Sequence, residues 1–115
     1  MSEWRLKRVE SQLHTELGSL IVSGELRDPR VSELVTVIGV TVSKDLKYAK
    51  VRVGGYMEPE ALDKAVAGLN HAAGFMQGRI GRRLRYKFTP QLSFVADPSL
   101  REGYEVTRRI EELDG

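Results

Sequence analysis

Leu69-Asn70-His71-Ala72-Ala73-Gly74-Phe75-Met76 falls in the middle of a helical pattern that would otherwise run from Pro59 to about Tyr86. Upstream, Pro59 suits the first position of a helix. Leu62, Val66 and Leu69 continue it as a core stripe, among alanines at 61, 65, 67, 72 and 73. Downstream, Met76, Ile80 and Leu84 recur every four residues and predict a second helix from Phe75 to about Tyr86. Gly74 is the expected break, because glycine is costly inside a helix. The small-residue triplet Ala72-Ala73-Gly74 thus reads as an interhelical kink. It is either a packing crossover or a contact point for a nucleic-acid backbone. Splitting this stretch into two helices decides the fold.

Working outward, Pro90 stops the second helix, and Gln91 to Ala96 alternates with Leu92 and Phe94 on one side, the pattern of a strand. Asp97-Pro98 reads as a helix start, Asp as N-cap and Pro at the first turn. Leu100, Tyr104, Thr107 and Ile110 then give a weak apolar seam, and the end from about Glu111 to Gly115 is expected to fray. Toward the N-terminus, Leu34 to Ser43 and Lys47 to Gly54 are rich in Val, Ile and Thr and predict two strands. The short turn at Ser43-Lys44-Asp45-Leu46 makes them an antiparallel pair. Ala49, Val51 and Val53 share one face of the second strand, and Tyr48, Lys50 and Arg52 the other. Residues 4–23 form an amphipathic helix through Leu6, Val9, Leu13, Leu17, Leu20 and Ile21, ended by Gly24. Arg27-Asp28-Pro29-Arg30 is a loop. The order is α-β-β-α-α-β-α, an α+β class fold read as one domain over 1–115. Three strands cannot bury two faces, so the helices are expected to cover one face and leave the other more polar.

The net charge of +2 hides an asymmetry. Between Asp63 and Asp97 there is no acidic residue but six cations: Lys64, Arg79, Arg82, Arg83, Arg85 and Lys87. Residues 97–115 carry a net −3. A concentrated positive field without competing carboxylates attracts polyanions, of which nucleic acid is the commonest in a cell. The competing reading is a solvated helix face. With no cysteine there is no disulfide, thiolate ligand or thiol nucleophile, as suits a reducing cytosol. Arg5, Lys7, Arg8 and Glu10 break up any apolar signal segment, and no apolar run reaches the ~20 residues of a membrane span. His14 and His71 fall in different helices and read as surface or boundary residues. No acid–base, metal or phosphate-loop constellation is present in the sequence, so neither catalysis nor a cofactor is expected. Gly78 and Gly81 read as close packing against a neighbouring helix, with close approach to a phosphate as the functional alternative.

The element order is that of a type II KH domain, a nucleic-acid-binding module. KH domains carry a GxxG loop between the two central helices that clamps backbone nucleotides. Here Ala72-Ala73-Gly74 stands in its place and resembles the Ala-x-Gly kink of the ribosome-binding factor A family. Asp28-Pro29-Arg30 is similar to that family's loop after the first helix. Ser43-Lys44-Asp45-Leu46-Lys47-Tyr48-Ala49-Lys50-Val51 resembles its hairpin, and Gly74-Phe75 before a basic helix also fits. So do Pro90-Gln91-Leu92-Ser93-Phe94, Asp97 and Ser99. The resemblance spans about residues 4–110, and the order and spacing of these motifs together are more specific than any one of them.

The resemblance implies a cytoplasmic bacterial assembly factor, not a nuclease. It implies binding of the immature 30S subunit, support of late 16S rRNA maturation at the 5′ end, release before translation, and particular importance in the cold. The long charged C-terminal tail of some members is not among these residues, so nothing of its function is carried over. The expected RNA-binding residues are Arg79, Arg82, Arg83, Arg85 and Lys87, extended by Lys44, Lys47, Lys50 and Arg52 on the hairpin and by Arg5, Lys7 and Arg8 if the first helix packs alongside. The eight aromatics (three Phe, four Tyr, one Trp) mostly read as core, so base stacking is not expected to dominate. Expected partners are the 30S subunit and precursor 16S rRNA, and the acidic C-terminal quarter reads either as a face for ribosomal protein or as a side that keeps RNA off. No membrane, small-molecule substrate or dimer seam is expected. The competing functions are a generic KH-like single-strand binder, against which the missing GxxG counts, and a protein-interaction domain without RNA affinity. An enzyme is the weakest.

Overall fold

A computed structural model of the chain describes residues 3–26, 28–31 and 35–114. Arg27 of the expected loop, Leu34 at the expected strand start and Gly115 at the expected frayed end lie outside the described residues. The elements run α1 (Glu3–Val22), β1 (Thr36–Val42), β2 (Tyr48–Gly54), α2 (Pro59–His71), α3 (Ala73–Leu84), β3 (Gln91–Ala96) and α4 (Ser99–Asp114). This is the expected α-β-β-α-α-β-α order of a KH-like α+β fold.

The sheet order is β1-β2-β3, with β1 and β2 antiparallel and β2 and β3 parallel. A parallel pair needs a crossover, and α2 with α3 supplies it. Ala49, Val51 and Val53 point inward as expected, opposite Leu92 and Phe94 on β3. On β1, Val37 pairs with Val53, Val40 with Val51 and Val42 with Ala49, so three inward residues are spaced by three and then two. A bulge at Ile38, between Val37 and Gly39, absorbs the extra residue and keeps the apolar face in phase. Leu13, Leu17, Leu20 and Ile21 of α1, Ala65 and Leu69 of α2, and Met76 and Ile80 of α3 close the core from one side. The other face carries Tyr48, Lys50, Arg52, Gln91 and Ser93, all exposed.

The edge of β3 is covered by amides. Asn70 Nδ2 donates to the Phe94 carbonyl at 3.0 Å, and its Oδ1 accepts from the Phe94 N–H at 2.8 Å. Gln77 Oε1 accepts from the Leu92 N–H at 3.1 Å. Polar groups of a free edge strand would otherwise recruit another strand.

Some boundaries differ from expectation. The break between α2 and α3 is at Ala72 (φ −88°, ψ 3°), not Gly74. That bridge conformation is open to alanine, so no glycine is needed. The Ala72 N–H donates to the Gly68 carbonyl, and its own carbonyl accepts from Met76, both at 3.0 Å. One residue therefore ends α2 and begins α3. At the other end, α3 stops at Leu84 because Arg85 turns left-handed (φ 56°, ψ 38°). Asp97 Oδ1 accepts from the Ser99 N–H at 2.9 Å, so it does cap the last helix, with Pro98 just ahead of the first helical residue. α4 continues to Asp114, past the expected onset of fraying. It is tied down at its start, where Arg101 donates to the Met57 carbonyl and pairs with Glu58, both at 3.0 Å. Tyr104 packs edge-on against Tyr56 at 5.7 Å.

Candidate nucleic-acid interface

Ten of the twelve expected RNA-binding cations fall into three regions. On α3, Arg79, Arg82 and Arg83 are exposed along one side and Arg85 follows at the helix end. α1 packs against α3, as the extension of the site to Arg5, Lys7 and Arg8 requires, but it brings carboxylates with it. Arg83 Nε lies 2.9 Å from Glu16, and Arg79 Nη2 lies 2.9 Å from Glu25. The acid-free run of sequence is thus partly neutralised in space by acids from elsewhere. The Arg79–Glu25 pair is exposed and weak, whereas Arg83, itself exposed, meets a half-buried Glu16; both guanidinium groups stay open to a competing polyanion. Among the described residues, Arg82 and Arg85 have no ion-pair partner.

The second region is the open face of the sheet, with Lys50 and Arg52. The Arg52 guanidinium lies over Gly39, where a Cβ would collide with Nη2, and reaches Asp97 at 4.0 Å. These two cations sit across the sheet from α3 and do not join its surface.

The third region lies at the end of the molecule where the first turns of α1, the β1–β2 turn and the α3–β3 loop meet. A cleft of about 900 Å³ there brings together Arg5, Arg8, Lys47 and Lys87, one or two residues from each expected group. The β1–β2 turn is rigidly built. Leu46 adopts φ 62°, its N–H bonding to the Ser43 carbonyl at 2.9 Å. Asp45 Oδ1 accepts from Ser43 Oγ at 2.7 Å and from the Lys47 N–H at 3.1 Å, which holds its carboxyl below the usual carboxylate range. Lys44 and Lys7 lie outside the cleft lining.

Aromatic placement departs from expectation. Of the eight aromatics only Phe94 is buried in the core. Trp4, Tyr48, Tyr56, Phe75, Phe88 and Tyr104 are exposed, and Tyr86 is half-buried. Trp4, Tyr86 and Phe88 line the cleft just described. A supply of exposed π-faces beside cations was not legible from residue counts, because it depends on which side of each element faces solvent.

The glycines also sort differently. Gly81 faces Thr89 of the following loop, where a Cβ would collide with Oγ1, not a neighbouring helix. Gly78 meets only the Arg82 guanidinium at 3.5 Å, and Gly74 meets nothing within 4 Å. A further close approach, unmarked in the sequence, is at Gly68, whose Cβ position is 2.9 Å from Val31 and 3.2 Å from the Arg30 Cβ. Gly68 seats the Asp28-Pro29-Arg30 loop on α2. His14 and His71 are exposed as expected. Among the described residues there is no group of three or more metal-ligating side chains, and no helix is long and apolar enough to cross a membrane.

The sequence profile described as Ribosome-binding factor A matches residues 5–110. The chain belongs to the ribosome-binding factor A family. A Borreliella burgdorferi ribosome-binding factor A is 45% identical over 107 residues, covering 93% of this chain and 89% of the relative. The crystal structure of ribosome-binding factor A from Thermus thermophilus superposes with a TM-score of 0.66 at 32% identity, covering 79% of this chain and 94% of the other. A homology model of the T. thermophilus factor, fitted into a cryo-electron-microscopy map of a 30S complex, gives a TM-score of 0.64 at 32% identity, over 79% and 93% of the two chains. Within this ribosome-binding factor A family member, then, the small-residue kink sits at one end of α3 and the cationic, aromatic cleft at the other.

Proposed function

We propose that this chain binds the immature 30S subunit through precursor 16S rRNA and supports late maturation of that rRNA, including its 5′ end, without catalysing a reaction itself. The observation that carries the reading is the likeness over 79% of the chain to a factor fitted into a 30S complex, joined to a cationic surface running from α3 to the cleft. Arg82, Arg85 and Lys87 supply phosphate contacts, arginine bidentately. Gly74, Gly78 and Arg82 follow at four-residue spacing along α3, Gly74 and Arg82 exposed and Gly78 half-buried beside the Arg82 guanidinium, and the two missing side chains let a phosphate backbone come close to the helix. The proposed setting is the cytoplasm, with the chain acting as a monomer that leaves before translation and matters most in the cold. The acidic C-terminal helix points to ribosomal protein or to an RNA-repelling side.

Co-sedimentation with small subunits, large subunits and whole ribosomes, at low and moderate salt, tests this. Selective pelleting with the small subunit is the expected result. Equal pelleting with every particle, abolished by added salt, would reduce the surface to a nonspecific basic patch. No pelleting at any salt would favour a protein-interaction domain.

A further inference from the structure

From the cleft at the α1 start, the β1–β2 turn and the α3–β3 loop, we infer that this end of the molecule takes a single-stranded RNA segment, with unpaired bases stacked on Trp4 and Phe88 and the flanking phosphates held by Arg8, Lys47 and Lys87. This rests on the RNA-binding reading above and adds the strandedness of the target and the residues that select it.

The argument begins with exposure. Trp4 is 68% and Phe88 82% exposed, a state that costs apolar hydration and contributes nothing to the core. Single solvent-facing aromatics are ordinary. Two flanking one concave surface, each with a cation on its ring, are not scattered singles. The Arg8 guanidinium lies 5.6 Å from the Trp4 ring centroid, and Lys87 Nζ lies 5.8 Å from that of Phe88. Bases stack on such rings while the neighbouring cations meet phosphates, the combination found in single-strand binders. A duplex keeps its bases stacked on one another and offers these rings nothing.

The scaffold holds the cleft open. Tyr86 donates its hydroxyl to Gln12 of α1, which pins the start of the α3–β3 loop against the first helix. The left-handed Arg85 turns the chain abruptly there, with the Tyr86 N–H returned to the Gly81 carbonyl at 3.0 Å. Asp45 is the one carboxylate among the lining residues, and its bonds to Ser43 and Lys47 tie it into the turn. The charge complement is therefore to a polyanion. An acidic protein segment would share that charge but would make no use of two flat rings.

Trp4 is the sole tryptophan in the chain, so its emission reports directly on the cleft. The experiment titrates the full chain with a 12-nucleotide single-stranded RNA and with a 12-base-pair RNA duplex at one salt concentration, following Trp4 fluorescence and anisotropy of labelled RNA. The expected result is quenching by the single strand alone, with tighter binding of that strand. Phe88→Ala, at a solvent-exposed position outside the core, is expected to lose about tenfold in single-strand affinity with the salt dependence unchanged. Lys87→Ala is expected to flatten the salt slope by about 0.7 instead. RNA binding without quenching, or equal affinity for both forms with Phe88→Ala neutral, would overturn the cleft while leaving the basic surface in place. Quenching by 30S subunits but by neither RNA would assign the cleft to a ribosomal protein and overturn it too. Loss of all RNA and subunit binding would overturn the functional reading beneath it.

Discussion

Arg85 shows how a single backbone conformation shapes the candidate site. It occupies the left-handed region that glycine usually fills at helix ends, and the Tyr86-to-Gly81 bond is the closing bond of that cap. A non-glycine residue there costs about 1 kcal/mol. Arg85→Gly is therefore expected to raise stability by about 0.5–1 kcal/mol in urea unfolding and to weaken RNA binding at low salt. A rise in stability without loss of RNA affinity would mean that the Arg85 guanidinium does not touch RNA. Asp28 carries a second residue-scale expectation. The Arg30 side chain donates to it at 2.6 and 3.0 Å and the Arg30 N–H at 2.9 Å. These bonds lower its pKa from 3.8 to about 2. A folded value below the unfolded one stabilises the fold above the unfolded pKa, and the contribution disappears as pH falls through the folded one. The loop seated on Gly68 should therefore keep its amide-exchange protection from pH 7 to about 5 and lose it between about 4 and 2, where Asp28→Asn should show no such transition.

At the scale of elements, the glycines of α2 and α3 divide by what surrounds them. Gly68 faces Val31 and Arg30 at distances no Cβ tolerates without movement, so Gly68→Ala is expected to destabilise by about 1–3 kcal/mol. Gly78 has room, so Gly78→Ala is expected to stabilise by up to about 1 kcal/mol. If α3 meets a phosphate backbone along that line, the same variant loses subunit affinity while its unfolding midpoint rises, a combination that equilibrium unfolding and co-sedimentation together detect. The contrast also marks what was legible in the sequence. Periodicity placed α1, α3 and β3, since Leu13, Leu17, Met76, Ile80, Leu92 and Phe94 lie where a period of 3.6 or 2 puts them. Gly68 went unmarked because its neighbours come from a loop far away in the chain. The kink fell two residues early because Ala72 needs no special freedom. The Ile38 bulge and the Asn70 and Gln77 amides on β3 exist only through pairing across strands and across layers, which spacing along one chain does not encode. The cations were visible individually, but their partners Glu16 and Glu25, and the aromatics beside them, were set by packing.

For the whole molecule, the layering limits how many cations one RNA can use. The chain extends 55 × 34 × 19 Å, with its helices on one face of the sheet. Lys50 and Arg52 therefore look away from Arg82 and Arg85, and a short RNA cannot neutralise all twelve expected positions at once. Each phosphate contact to a single strand contributes about 0.7 to the slope of log K against log salt. Engagement of Arg8, Lys47, Arg82, Arg85 and Lys87 on a single strand would give a slope near −3.5, and about a hundredfold loss of affinity between 50 and 200 mM salt. All twelve cations would give a slope beyond about −8. A short single-stranded RNA is expected to show the shallower value. Arg82→Ala with Arg85→Ala should then reduce the slope by about 1.4, whereas Lys50→Ala with Arg52→Ala should leave it unchanged. On the intact 30S subunit, the sheet-face pair acquires its own effect if both faces of the chain are engaged. A sheet-face pair silent on the fragment but costly on the subunit would show that the factor is held between two surfaces. The same pair silent on both would place the whole contact on the helical side and its cleft.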